Sequence, residues 1–476
     1  MIQDWIEEKL VNGPKISFLE IANYLFPIIF VVIFVVSIFG YAYIKLRYPF
    51  WNIQPVFHTY DFWRYWYSRP FIIQRLDTRT NSALITKFCD FAQIRTRAYT
   101  DLTNAHKLSF IDLLQSHYIA DDRVFMTWTP AYLDIMFGGY SNACFVSMFF
   151  EREYQLVKDS TKDSTKDSVN MIPITITHNP VPIGCISSRP YNLYIYGDGY
   201  NMTKYIAYFF DTICVHRDHV KKQLSRKLIQ THEYIQRSLQ RSDQRSLQRS
   251  DQRSSNNNMN SSVSTVSFFK KEGDLCEGIV PVLSYKTYMY KIPTLDTTVK
   301  LGPHTIISRV FKENTQLVQE FFENVDKTGD FDIVAVPVIS AIVAQIRAQK
   351  LFVYVLRYKD ESLGYYFFKD TATQFERGTI KAGVEDCNIL EFCASYSNTK
   401  MPGTVFYNGF LCALCDICRL YPLFGIILWS NIADNTALHQ RWREHVTHMV
   451  ENPTAYYLYN MASPKKISAK RGFFLI

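Results

Sequence analysis

Tyr456-Tyr457-Leu458-Tyr459-Asn460, followed at the end of the chain by Gly472-Phe473-Phe474-Leu475-Ile476, is the stretch from which the fold is read. An aromatic run closed by an asparagine predicts a strand over Ala455–Met461, with a short apolar tail behind it. Working outward, Tyr205–Val215 reads as another strand, ending at Cys214-Val215-His216. A polar basic loop follows, then an amphipathic helix from Leu224 to Ile235 with Leu224, Leu228, Ile229 and Ile235 on one side. A strand, a basic loop and a helix start are the parts of a phosphate site, because the first backbone N–H groups of a helix point at one spot and carry partial positive charge. Lys221, Lys222, Arg226 and Lys227 add point charges, and a solvated basic face is the competing reading.

The chain has 476 residues, which sets a prior of two or three units. Ile183–Ser188 and Leu193–Tyr196 read as strands, and Phe110–Ser116 and Pro130–Phe137 as helices. A second unit starts near Lys291. It has helix-like Asn314–Val325, strands at Phe352–Arg357, Leu363–Phe368 and Gly425–Ser430, a helix around Phe406–Leu420 and another over Ala433–His448. Two low-complexity insertions, 159–170 and 236–264, interrupt the pattern. The first reads as an extended hairpin loop, and the second repeats Gln-Arg-Ser-Leu-Gln-Arg-Ser-Asp and extends the preceding helix before losing structure.

Net charge is +8 with both signs scattered, which argues against a nucleic-acid binder and fits mild attraction to anionic lipid or CoA phosphates. Ten cysteines include Cys144, Cys185 and Cys214 in apolar strand-like runs, where a reduced core thiol is expected. Cys412, Cys415 and Cys418 repeat along one helix face, but no paired Cys/His cluster completes a metal site, so no metal is expected. Ile21 to Ile44 carries no charge and is long enough to span a bilayer. Lys45, Arg47, Arg64 and Arg69 follow it with Trp51 and several tyrosines, so the positive-inside rule puts the large C-terminal part in the cytosol, with aromatics at the interface. The expectation is a single-pass membrane protein with residues 1–20 as a flank and 21–44 as the span.

Several segments together resemble one family. They are Phe50-Trp51-Asn52-Ile53-Gln54-Pro55-Val56, Ser116-His117-Tyr118-Ile119, Pro182-Ile183-Gly184-Cys185-Ile186-Ser187, Asp211-Thr212-Ile213-Cys214-Val215-His216 and the terminal run. The chain resembles N-myristoyltransferase, which moves a fourteen-carbon acyl chain from acyl-CoA to an N-terminal glycine. The resemblance implies an α/β fold of two tandem acyl-CoA N-acyltransferase (GNAT-like) halves after one transmembrane helix. The halves would occupy 110–290 and 291–476, with a juxtamembrane and CoA-contacting segment at 45–109.

It also implies roles. The α-carboxylate of Ile476 would be the catalytic base, and the backbone amides of Thr212 and Ile213 the oxyanion hole. Phe50, Trp51, Gln54 and Val56 would contact CoA, as would Cys214, Val215, Lys221, Lys222, Gln223, Leu224 and Ser225. Tyr118, Asp121, Asp122, Phe125, Tyr457 and Tyr459 would meet the peptide. Myristoyl-CoA is the implied acyl donor, a glycine-initiated protein the acceptor, and a monomer the implied state. Departures fall mainly on peptide recognition: Val220-Lys221-Lys222-Gln223 replaces an Arg-Ser-Lys-Arg loop, Arg123 intrudes into the acidic loop, and Glu451-Asn452-Pro453 stands for Gly-Asp-Gly. Two other readings stay open: a catalytically inactive membrane scaffold or acyl-CoA-binding protein that kept the fold, and an acetyl-CoA-dependent transferase.

Overall fold

Long apolar runs paired mostly antiparallel build the protein. Its computed structural model describes residues 18–67, 69–74, 85–119, 121, 123–151, 154–157, 170–173, 181–196, 202–251, 266–295, 299–325, 329–359, 361–376, 386–398 and 401–476. Residues 159–169 and 252–264 of the two insertions, and Asp122, lie outside these.

The chain forms two units, Met1–Gln54 and Pro55–Ile476. The described part of the first is a helix, α1 (Phe18–Arg47), followed by a single 3-10 turn at Trp51–Ile53. From Phe26 to Arg47 the helix is long and apolar enough to cross a membrane. Its large side chains are exposed along that length.

The second unit runs in chain order through β1 (Phe71–Ile72), β2 (Ile94–Ala98), α2 (Asn104–His117), β3 (Val124–Met126), α3 (Pro130–Phe137), β4 (Phe145–Phe150), β5 (Tyr154–Val157), β6 (Asn170–Pro173), β7 (Pro182–Tyr196), β8 (Met202–Val215), α4 (Leu224–Asp251) and β9 (Val266–Glu272). It continues with β10 (Leu283–Lys291), β11 (Thr305–Arg309), α5 (Gln316–Asn324), β12 (Ile333–Pro337), α6 (Ile339–Arg347), β13 (Leu351–Tyr358), β14 (Glu361–Phe375), β15 (Cys387–Ser397), α7 (Gly403–Leu420), β16 (Phe424–Ser430), α8 (Asn435–Trp442), β17 (Val450–Tyr459), β18 (Met461–Ala462) and β19 (Gly472–Phe474). Fifteen of these strands share one sheet.

Two halves of that sheet repeat one topology. In the first, β7 and β8 pair antiparallel and α4 crosses over to β9, parallel to β8. In the second, β14 and β15 pair antiparallel and α7 crosses over to β16, parallel to β15. Each half then lends its next strand to the other. β10 pairs with β16, β17 pairs with β9, and the two lent strands pair with each other. This exchange closes what would otherwise be two unpaired edges.

Helices cover the sheet with apolar faces. On α7, Phe406, Phe410 and Leu414 pack with Phe368, Phe392 and Trp429. A Cβ at Gly409 would lie 2.5 Å from the Tyr366 hydroxyl oxygen, so only glycine allows α7 to approach this closely. Against the other half, Leu114 of α2 and Leu133 of α3 pack on Val146 and Met148.

Three elements differ from expectation. Ile183–Ser188 and Leu193–Tyr196 are one strand, because Arg189 and Pro190 stay in register with Phe209 and Tyr208. Helix α8 stops at Trp442 rather than His448, since the chain must leave it to enter β17 at Val450. Helix α4 does continue into the repeat, to Asp251, but from Leu228 to Gln240 the buried side chains after Leu228 itself are not apolar. Gln230, Thr231, His232, Glu233, Gln236 and Arg237 are buried there. Hydrogen bonds within the core join several of them to the sheet. The His232 ring lies 2.7 Å from Ser147 Oγ and 2.8 Å from Ser188 Oγ, and Ser188 donates to Gln236 Oε1 at 2.7 Å. Burial pushes the imidazole pKa down to about 3, so the ring is neutral. This polar spine ties α4 to the back of β4 and β7.

Candidate active site

The β8–β9 junction makes the opening. Their parallel register runs from Ala207↔Val266 to Phe210↔Phe269 and stops one residue before Asp211. Beyond that point each strand keeps only its outer partner. On the β7 side the ladder slips: Ser187 faces Asp211 and Cys185 faces Cys214, so Thr212 and Ile213 together oppose Ile186. This two-for-one bulge puts Thr212 at φ +50°, a conformation a β-branched residue rarely adopts. The surroundings hold it there. Thr212 Oγ1 lies 2.7 Å from Ser187 Oγ, and Thr212 N–H donates to Asp211 Oδ1 at 2.8 Å. Bulges of this kind re-aim backbone groups beside sites. The two residues singled out in the sequence as oxyanion donors are therefore the two residues of the bulge, and one of their amides is already engaged by a carboxylate.

Around the opening lies a cluster of charges that sequence reasoning missed. Arg189, buried on β7, donates to Asp211 Oδ2 at 2.7 Å. On β9, Lys270 pairs with Glu272 at 2.5 Å and lies 3.8 Å from Glu391 of β15. Burial opposes the Lys270 charge, but Glu272, Tyr285 and Glu391 outweigh it and raise its pKa; Lys270 in turn holds Glu272 low. Lys369, directly opposite Glu391 in the β14–β15 ladder, donates to the main-chain oxygen of Ile476 at 3.1 Å. Burial and then the Arg189 guanidinium lower the Lys369 pKa. The only signal for these residues in the sequence is an ionisable side chain inside an apolar strand, as in Leu390-Glu391-Phe392.

The tail reaches the cluster by pairing. β19 lies parallel to β12 from Ile333↔Gly472 to Ala335↔Phe474, and Leu475 N–H donates to Ala335 O at 3.0 Å. Phe474 stacks on Tyr456 at 3.9 Å. Tyr456 and Tyr285 therefore face the charges. Tyr457 and Tyr459 point through the sheet: Tyr457 stacks on Phe269 at 5.1 Å and accepts from Cys276 N–H, while Tyr459 packs against Phe210 and Arg237. Both are buried in the core, on the face of the strand opposite to Tyr456.

Tyr118, following α2, is half exposed; burial of its hydroxyl and then the Asp211 and Glu272 carboxylates raise its pKa. Asp121 is turned on its own loop, accepting from Arg123 N–H at 3.0 Å and from the Arg123 guanidinium at 3.1 and 3.2 Å. Phe125 pairs with Gln374 across β3 and β14.

The strand, basic turn and helix start are formed as expected. Val215 ends β8, Arg217–Lys222 makes a 3-10 turn, Gln223 takes φ +54°, and α4 begins at Leu224 and Ser225. At the helix start Arg226 N–H donates to Gln223 O at 3.2 Å, and the N–H groups ahead of it precede the first α-helical hydrogen bond. Lys221 is exposed, whereas Lys222 pairs with Glu151 at 2.7 Å. Cys214 is buried, its thiol 3.7 Å from Leu113 O. Phe50, Trp51 and Gln54 fall in the N-terminal unit, where the Phe50 and Trp51 rings meet edge-on at 4.9 Å and Gln54 N–H closes the turn onto Trp51 O. Val56, the second residue of the second unit, bridges to Tyr459. Among the described residues no group of three His, Cys, Asp or Glu could hold a metal ion. None of the ten cysteines forms a disulfide.

A mixed α/β sheet in two equivalent halves, its ladder opening beside a bulged strand, is the class of fold this chain has. More particularly, the fold is that of N-myristoyltransferase. Crystal structures of the Saccharomyces cerevisiae N-myristoyltransferase with bound myristoyl-CoA match with TM-score 0.59 at 12% identity, covering 88% of this chain and 94% of that one. A second such structure matches with TM-score 0.59 at 13% identity, over 89% and 90%. A third, with myristoyl-CoA and inhibitors, matches with TM-score 0.58 at 12% identity, over 88% and 91%. No family model and no curated protein matches the sequence.

Proposed function

We propose that the chain transfers a myristoyl group from myristoyl-CoA to the N-terminal glycine of protein substrates. The observation that carries this reading is the bulge at Thr212–Ile213, at the splayed strand pair of an N-myristoyltransferase fold and on the same strand as the loop that opens α4. The CoA phosphates lie against Gln223, Leu224 and Ser225 with Lys221 beside them. The thioester carbonyl points at the bulge amides. The carboxylate of Ile476 takes a proton from the substrate ammonium, and the free amine attacks. The N–C bond forms, the C–S bond breaks, a second proton passes from the nitrogen to the departing sulfur, and CoA leaves as its thiol. The oxyanion is held by Thr212 and Ile213, which requires Asp211 Oδ1 to release the Thr212 amide. Tyr118, Asp121, Asp122 and Phe125 belong to the peptide side in this reading. Helix α1 anchors the protein in a membrane, with the transferase in the cytosol, acting as a monomer.

A second reading, an acyl-CoA-binding membrane scaffold without turnover, is favoured by two contacts: Asp211 on the Thr212 amide and Lys369 on the Ile476 oxygen. The separating experiment incubates the full-length protein with labelled myristoyl-CoA and glycine-initiated peptides. N-acylated peptide is expected. Bound acyl-CoA with no product would establish the scaffold, and transfer of acetyl in preference to myristoyl would establish a short-chain enzyme. Carbonate extraction tests the anchor, and release into the supernatant would reject it.

A further inference from the structure

Residues Phe62–Trp66 form a 3-10 turn whose largest side chains all face solvent. Phe62 is 72% exposed and Trp63 and Trp66 are each 85% exposed; Tyr65 and Tyr67 are exposed beside them. Large aromatics normally supply core, and a fixed outward cluster of this size marks a surface that something covers. Here the polar residues of the turn brace it instead. Asp61 Oδ2 accepts from Arg64 Nη1 at 2.8 Å and from His58 N–H at 3.2 Å, and Arg64 Nη1 also donates to Val56 O at 3.1 Å. Tyr65 leans on Phe57 at 4.7 Å and Tyr67 on Phe71 at 4.9 Å. The turn is thus held to the folded unit from below while its indole and phenyl faces stand free.

Two facts identify what covers it. The first is chemical: tryptophan and tyrosine beside an exposed arginine, Arg69, is the composition that partitions into a bilayer's headgroup region. The second is the tether. Helix α1 ends at Arg47, and residues 48–61 span at most roughly 50 Å when fully extended. A turn on so short a leash meets the membrane holding α1 before it meets any other surface.

We propose that Phe62–Tyr67 is a second membrane contact, inserting Phe62, Trp63 and Trp66 into the phospholipid interface of the bilayer that carries α1. It fixes how the folded unit lies on that surface, which a single helix does not. The proposal is independent of acyl transfer.

The test uses the full-length chain reconstituted in vesicles of phosphatidylcholine and phosphatidylserine, with plain or brominated acyl chains. Bromine quenches only tryptophan in contact with lipid. Subtracting the emission of a W63F/W66F variant isolates Trp63 and Trp66 while keeping the site apolar. Their difference emission should lose most of its intensity in brominated vesicles and resist aqueous acrylamide. Unquenched emission overturns the proposal, either solvent-like, meaning the turn stays in water, or blue-shifted, meaning a protein partner or second copy covers it.

Discussion

The Lys369 ammonium donates to the main-chain oxygen of Ile476 at 3.1 Å, from a strand more than a hundred residues earlier in the chain. A cation therefore sits where, in the proposed mechanism, a substrate ammonium would arrive. Replacing Lys369 by methionine removes that charge. The Ile476 carboxylate pKa should rise by about 1–3 units, so the acid limb of kcat/KM moves to higher pH. The acceptor KM should fall, because a like charge is gone. K369R should restore both. An unmoved acid limb with active enzyme would mean that Ile476 is not the base.

Asp211 neutralises the buried Arg189 guanidinium at 2.7 Å. D211A should destabilise the protein by about 3–5 kcal/mol, because it leaves a charge in the core. The pair replacement R189M/D211N should recover most of that loss. Thermal denaturation of the two variants measures the difference, and equal stability would show that the pair is solvated.

Acyl-CoA binding should depend on Lys221 more directly than on Lys222. The second lysine is shared with Glu151, whose carboxyl it holds below the ordinary range. K221E should weaken binding by about 1.5–3 kcal/mol, while E151Q should tighten it by releasing Lys222. Calorimetry with myristoyl-CoA reads both. Unchanged affinity in K221E would place the phosphates elsewhere.

Asp434 couples stability to pH. Burial raises its pKa to about 6, against the Ser397 N–H donated to its Oδ2 at 2.7 Å. From its ordinary value up to about 6 the folded state keeps a proton that the unfolded chain releases, so stability falls as pH rises through that window. D434N, which keeps an acceptor for Ser397, should be more stable than the parent at pH 7 by up to roughly 3 kcal/mol. The difference should vanish near pH 4. Denaturant titrations at the two pH values check it.

The sequence by itself determined the local pieces. Aromatic alternation made Ala455–Met461 a strand, uncharged Ile21–Ile44 a helix fit for a membrane, and Cys214-Val215-His216 before Leu224 a strand, turn and helix start. These follow from periodicity, turn chemistry and charge within short windows, which is information a linear chain carries. Pairing was not legible that way. Nothing near Leu283–Lys291 or Val450–Tyr459 says that these strands are exchanged between halves, and the slip that bulges Thr212 appears only when β8 is laid against β7. The charged cluster is the clearest case. Arg189, Asp211, Lys270, Lys369 and Glu391 lie on five strands spread over some two hundred residues, and no local pattern says that they meet. The crossovers bring them to one opening, where each buried charge meets a partner of opposite sign.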